Sequence, residues 1–101
     1  MKHEIKIAEV FGSRLSSGER AYAFRVSEID PYVSLCDSLV IDFTGVRSAN
    51  SSFINALVSG LIEDHGTPLL ERLSFRGCLP TVKVLLNAAI SLGMSKRGEI
   101  H

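Results

Sequence analysis

Hydrophobic and polar positions along the chain change period several times, and each change marks an element. From Glu4 to Ala8 apolar and polar residues alternate through Ile5-Lys6-Ile7, the pattern of a half-buried strand. The stretch on to Phe11 also fits a hairpin. Gly12-Ser13-Arg14 breaks the pattern, and Leu15 to Gly18 reads as loop. Ser16 or Ser17 can cap a helix through Glu19 to about Ile29, with Ala21, Phe24 or Arg25, and Ile29 on its inner side. Pro31 is expected to stop it, because a residue before proline is pushed out of the α region.

Leu39-Val40-Ile41 is apolar at consecutive positions, the mark of a central strand covered on both faces. Asp42, Phe43 and the breaker Gly45 follow it. After the polar stretch Arg47 to Ser52, residues Phe53, Leu57, Gly60 and Leu61 fall at helical spacing, with Asn50 or Ser51 as the N-cap. His65-Gly66-Thr67-Pro68 closes that helix. Leu73-Ser74-Phe75 predicts a short third strand ended by Gly77. Pro80 opens a last helix with Val82, Leu85, Leu86 and Ala89 inside, Lys83 and Asn87 facing water, and its end at Gly93. The order β-α-β-α-β-α predicts an α/β fold with a mostly parallel central sheet and helices packed against it. Residues 1–101 form one domain, whose tail, 94–101, is expected to fray.

Composition narrows the function. Lys plus Arg equals Asp plus Glu at eleven each, so no net field gathers nucleic acid or an anionic membrane surface. No apolar run reaches the roughly 20 residues of a membrane span, and the N-terminal stretch lacks a signal peptide's apolar middle. A cytoplasmic location with Cys36 and Cys78 as reduced thiols is therefore expected. Neither cysteine sits in a CxxC or beside a histidine pair, so no metal or cofactor is expected. Catalysis would need a nucleophile with its base, paired carboxylates or a metal set, and the sequence offers none of these, nor a phosphate-cradling glycine loop. The expectation is a binding domain and not an enzyme.

The informative segment is Leu39 to Leu61, LVIDFTGVRSANSSFINALVSGL. A buried strand runs to Asp42, turns tightly at Gly45-Val46, and leads through a hydroxyl-rich loop onto a helix. In open α/β sheets, ligands and partners are met at these carboxyl ends of strands. The segment resembles the STAS domain, the fold of bacterial anti-sigma-factor antagonists and of sulfate-transporter tails. It is most similar to the STAS-like family of small prokaryotic domains, some of which are attached to histidine-kinase-type ATPase domains. The residues that carry the likeness are Asp42-Phe43, Gly45-Val46, Ser51-Ser52-Phe53 and Asn55-Ala56-Leu57.

In the antagonists the helix start reads Asp-Ser-Ser/Thr-Gly, and an ATPase-type kinase phosphorylates the serine after the aspartate. The resemblance thus implies Ser51 as phosphoacceptor, with Ser52 as second choice. It also implies a partner surface of Asn50, Ser51, Ser52, Phe53 and Asn55, facing an ATPase- or histidine-kinase-type regulator. Here Asn50 stands where the antagonists have aspartate, and Phe53 where they have glycine.

Each of these residues also has a plainer reading. Ser51 can simply cap the helix, contributing around 1 kcal/mol. Asp42 and Gly45 read as structural turn residues. Glu63-Asp64-His65 imitates an acid–base cluster, but consecutive helical residues point about 100° apart, so it reads as a solvated last turn. Arg14 and Arg47 could meet a phosphate near the loop. Two alternatives stay open: a self-associating scaffold or sensor accessory, joined as a homodimer through exposed Phe53 or Ile54, and a small-ligand or nucleotide module at the strand ends.

Overall fold

Strand β3, Ser38–Asp42, is the middle of a three-stranded parallel sheet in the order β1-β3-β5, with β1 at Lys2–Lys6 and β5 at Leu73–Arg76. The computed structural model describes residues 1–96 and Gly98. Ile5, Ile41 and Phe75 stand abreast across the sheet. Around the strands run α1 (Ile7–Phe11), α2 (Gly18–Phe24), α3 (Asp30–Val33), α4 (Ser51–Ile54), α5 (Gly60–His65) and α6 (Pro80–Lys96). The predicted α/β order and the mostly parallel sheet are both present.

Only one face of the sheet meets the apolar core. Leu39, Ile41, Phe43 and Ile5 join a single cluster with Ile29, Phe53, Leu57, Leu61 and Val82 from the helices. Val40 is also buried but lies outside that cluster, on the face that carries exposed Glu4, Ser74 and Arg76. There Arg76 Nη1 reaches Glu4 Oε2 at 2.9 Å across β3. The consecutive apolar run therefore marks a central strand, as expected, but long polar side chains rather than a second apolar layer shield Val40.

Two helices hold a spacing that a plain α-helix cannot. Along the helical run from α2 through α3, Ala21, Arg25, Ile29 and Val33 are all buried, each four residues from the last. At about 3.6 residues per turn, a four-residue step drifts by roughly 40°, so three steps would carry the stripe out of the core. The drift is taken up by a π-turn at Arg25–Ile29, where the Asp30 N–H bonds to the Arg25 carbonyl five residues back. The same device recurs where Phe53/Ile54, Leu57/Val58 and Leu61/Ile62 repeat every four residues, with a π-turn at Asn55–Ser59.

The first π-turn also corrects the expectation at Pro31. A proline inside an α-helix collides with the carbonyl four residues back. Here the widened turn ends just before it, and Pro31 sits in the first turn of α3, so the helix continues to Val33.

Other boundaries shift for identifiable reasons. The first strand is β1, Lys2–Lys6, and Ile7 opens a short helix instead of continuing a strand or forming a hairpin. The expected loop at Arg14–Leu15 pairs in parallel with Ser48–Ala49, giving a two-stranded ribbon, β2 and β4. Gly93 does not end α6, which runs on to Lys96, so the tail expected to fray is helical that far. Arg97 and residues 99–101 lie outside the described residues. Gly93 is instead where α6 meets the helix before it: an added Cβ would lie 2.7 Å from both Ile62 Cβ and the Ser59 carbonyl oxygen.

Candidate functional site

The segment from β3 to α4 turns on residues Asp42 to Val46. Phe43 C=O accepts the Val46 N–H at 2.9 Å, closing a β-turn whose third residue, Gly45, has φ +91°. A type II turn requires that positive φ, which glycine supplies without steric cost. Asp42 Oδ1 accepts both the Thr44 N–H at 2.8 Å and the Thr44 hydroxyl at 2.6 Å. The Thr44 hydroxyl, then its amide, holds the Asp42 carboxyl below the usual carboxylate range, with Arg76 and Lys6 adding smaller attractions.

A lowered folded pKa places the stability from ionised Asp42 above the ordinary carboxylate value of about 4. It is lost as pH falls through the lower folded value. Asp42→Asn should therefore cost stability near neutral pH and progressively less below about pH 4. Urea titrations of both proteins across that range measure the difference, and a gap independent of pH would refute the role of the charge.

Two helix starts come together beyond this turn. The N-cap of α4 is Asn50, whose Oδ1 accepts the Phe53 N–H at 2.9 Å. Its Nδ2 donates to the Ser16 carbonyl at 2.9 Å, tying the loop to the start of α2. Ser17 caps α2 by accepting the Arg20 N–H at 3.2 Å. Gly18 then abuts Ser52, where an added Cβ would stand 3.1 Å from the Ser52 carbonyl oxygen. Asn50 alone thus caps α4, and Ser51 follows it as the first helical residue. The Ser51 and Ser52 side chains are exposed and make no hydrogen bond among the described residues.

The remaining residues of the expected surface separate. Asn55 is half-buried and lines a shallow groove with Tyr22, Arg25 and Ser59. Phe53 is 1% exposed and Ile54 is fully buried, which overturns both as exposed contacts for a partner or a homodimer. Phe53 points inward because Phe11 receives it edge-on, with ring centroids 4.9 Å apart and planes at 87°. Arg14 and Arg47 are exposed on and beside the β2–β4 ribbon.

Sequence reasoning missed a polar cluster at the other end of these helices. Arg25 is buried, and its Nη1 lies 2.9 Å from Asp64 and 3.1 Å from Asp30, while His65 Nε2 lies 3.1 Å from Asp30 Oδ1. Asp64 and His65 are thus not a merely solvated last turn; both reach across to the α2–α3 element. Glu63 diverges from them, toward Lys96 at 3.9 Å. The readable signal was Arg25 itself, a cation on a buried four-residue stripe, which only acidic neighbours could neutralise.

Neither cysteine forms a disulfide; Cys36 is buried and Cys78 half-buried. Burial pushes the Cys78 thiol up, away from the reactive thiolate. Among the described residues no group of His, Cys, Asp and Glu is placed to hold a metal ion, and no helix is long and apolar enough to cross a membrane.

A search of curated proteins and one of solved structures return no match. The profile of one family, described as a STAS-like domain of unknown function (DUF4325), matches residues 28–83. That span takes in β3, the Asp42–Val46 turn, the second π-turn and β5, more than half of the chain. The mostly parallel sheet with helices packed around it agrees with that match, and the chain belongs to the STAS-like domain family.

Proposed function

We propose that this domain is a non-enzymatic regulatory module that binds a protein partner through the helix start at Ser51, and that phosphorylation of Ser51 switches the binding. The observation that carries this reading is the free, exposed Ser51 hydroxyl beside a helix N-terminus already capped by Asn50. Because Asn50 does the capping, Ser51 is available for modification without loss of the cap. A phosphate there adds about −1.5 to −2 charges at the positive end of a helix dipole, where the fold tolerates it. A partner presenting acidic or nucleotide-phosphate groups would then be repelled. Such repulsion can reach several kcal/mol, and about 2.7 kcal/mol is already a hundredfold in affinity.

The resemblance to anti-sigma-factor antagonists supports an ATPase- or histidine-kinase-type regulator as that partner. The burial of Phe53 reduces the surface to Asn50, Ser51, Ser52 and the rim of Asn55. A ligand module at the strand ends finds less support. The notch there, about 190 Å³ between Lys6, Glu9, Asp42 and Thr44, contains a carboxylate already engaged by Thr44.

Immobilised wild type and Ser51→Asp, each exposed to lysate of the source cell, test the reading. An ATPase-type regulator retained by wild type and lost about a hundredfold in affinity with Ser51→Asp is the expected result. Retention of the same proteins by both baits, or of no such regulator by either, would return Ser51 to a surface residue of the helix start.

A further inference from the structure

Tyr22, Arg25, Asn55, Ser59, Glu63 and Lys96 line a groove of about 250 Å³ where α2, the second π-turn and the end of α6 meet. We infer that this groove binds a small uncharged carbonyl compound, a primary amide above all, through Arg25, Ser59 and Asn55. Two buried polar atoms carry the inference. Arg25 Nε and Ser59 Oγ have no hydrogen-bond partner, in residues that are 5% and 2% exposed. Buried polar groups are nearly always paired in native proteins, so two orphans lining one groove point to an acceptor that the chain itself does not supply.

The unused edge of Arg25 is held in place. Its Nη1 alone meets the acids, at 2.9 Å from Asp64 and 3.1 Å from Asp30, and no hydrogen bond among the described residues reaches Nε or Nη2. The Tyr22 ring centroid stands 5.3 Å from Cζ, and Gly60 packs so close that an added Cβ would lie 2.9 Å from Cζ and Nε. So confined, the guanidinium keeps its Nε–Nη2 edge ready for a ligand, which lowers the ordering cost of binding. Charge then selects the class. Two carboxylates already balance Arg25, and Glu63 and Lys96 stand 3.9 Å apart at the rim. An anion would meet the Asp30 and Asp64 charges with no unpaired cation among the described lining residues. A neutral carbonyl costs less to desolvate and still accepts from Nε–H and the Ser59 hydroxyl. The Asn55 amide can accept from the ligand's own NH2 group. Ligand pockets usually span about 300–1,000 Å³, so this smaller groove suits a fragment rather than a nucleotide. The ligand enters as the exposed Tyr22 ring rotates aside. Asn55 also borders the surface at Ser51, but this site does not depend on phosphorylation there.

Benzamide is the probe, titrated into isotopically labelled protein and followed through backbone amide signals and the Arg25 Nε–H resonance. Expected are saturable shifts at Arg25, Asn55 and Ser59 at millimolar ligand, and a melting temperature that rises with benzamide concentration. Benzoate, of the same shape but charged, should bind at least about tenfold more weakly. Ser59→Ala removes a buried unpaired hydroxyl, so the fold should keep its stability while benzamide binding weakens about fivefold. Arg25→Lys keeps a cation beside Asp30 and Asp64 but loses the flat donor edge, and should abolish saturable binding in a folded protein. Should Arg25→Lys unfold, Ser59→Ala decides alone. Absence of saturable binding at millimolar benzamide, shifts mapping away from the groove, benzoate binding as tightly as benzamide, or full affinity in Ser59→Ala would each overturn the site.

Discussion

Truncating Phe53 to alanine is expected to cost about 3–5 kcal/mol, the range for a fully buried aromatic whose cavity cannot collapse. Phe53 is 1% exposed, stacks edge-on against Phe11, and Phe11 in turn stands edge-on to Phe24 at 5.3 Å. The three rings lock α1, α2 and α4 together, so none can close the gap without moving a helix. At roughly 4–8 °C per kcal/mol for a domain of this size, the melting temperature should fall by more than about 12 °C. Urea denaturation should show the midpoint falling with little change in slope, as expected for lost packing rather than an altered unfolded state. A loss under about 1 kcal/mol would mean that Phe53 is not packed as described. Phe53→Glu would be a folding mutant, so partner binding must be probed at Ser51 and Ser52.

Gly93→Val is the second large effect, and its sign is less obvious. Replacing a mid-helix glycine normally stabilises a helix, by about 1 kcal/mol for alanine. Here the new Cβ would lie 2.7 Å from Ile62 Cβ and 2.7 Å from the Ser59 carbonyl oxygen. The carbonyl is fixed in the π-turn and cannot rotate away, so α6 itself must move off. Overpacking of this kind costs about 1–3 kcal/mol even for a small group. Gly93→Ala should therefore be net destabilising despite its helix propensity, and Gly93→Val should lose about 3 kcal/mol or more. A stability gain for Gly93→Ala would show that the helices are farther apart than they stand here.

The frame of the fold was legible because burial writes itself into period. The Leu39–Ile41 run, the Leu73–Phe75 alternation and the Val82–Ala89 stripe all mark elements that are present. What escaped was wherever backbone geometry departs from the ordinary helix. Pro31 looked like a stop because the proline rule assumes four-residue hydrogen bonding, and the π-turn before it removes that assumption. Gly93 looked like a terminus because glycine ends helices often, yet here it serves a close crossing. The Arg14–Leu15 and Ser48–Ala49 ribbon is too short to carry an alternation at all.

At the site, Asn50 was legible as a cap and Asp42 and Gly45 as turn residues. The helical stripe of Phe53, Leu57 and Leu61 already pointed Phe53 inward, against its reading as an exposed contact, but its partner Phe11, more than forty residues away, is reported by no local pattern. The Arg25 cluster was hidden for the same reason. Asp64 comes from 39 residues further along the chain.

The two π-turns bear on how this chain compares with its relatives. Each carries one residue more than an α-turn would, so each is what a single-residue insertion looks like once the core has kept its contacts on both sides. Deleting one residue within Asn55–Ser59 would let the π-turn close to an α-turn and leave the buried pairs on both sides facing the core. A related chain without these extra residues would align with this one only through a one-residue gap in each helix. Its buried positions would then alternate between steps of three and four, where this chain keeps to four.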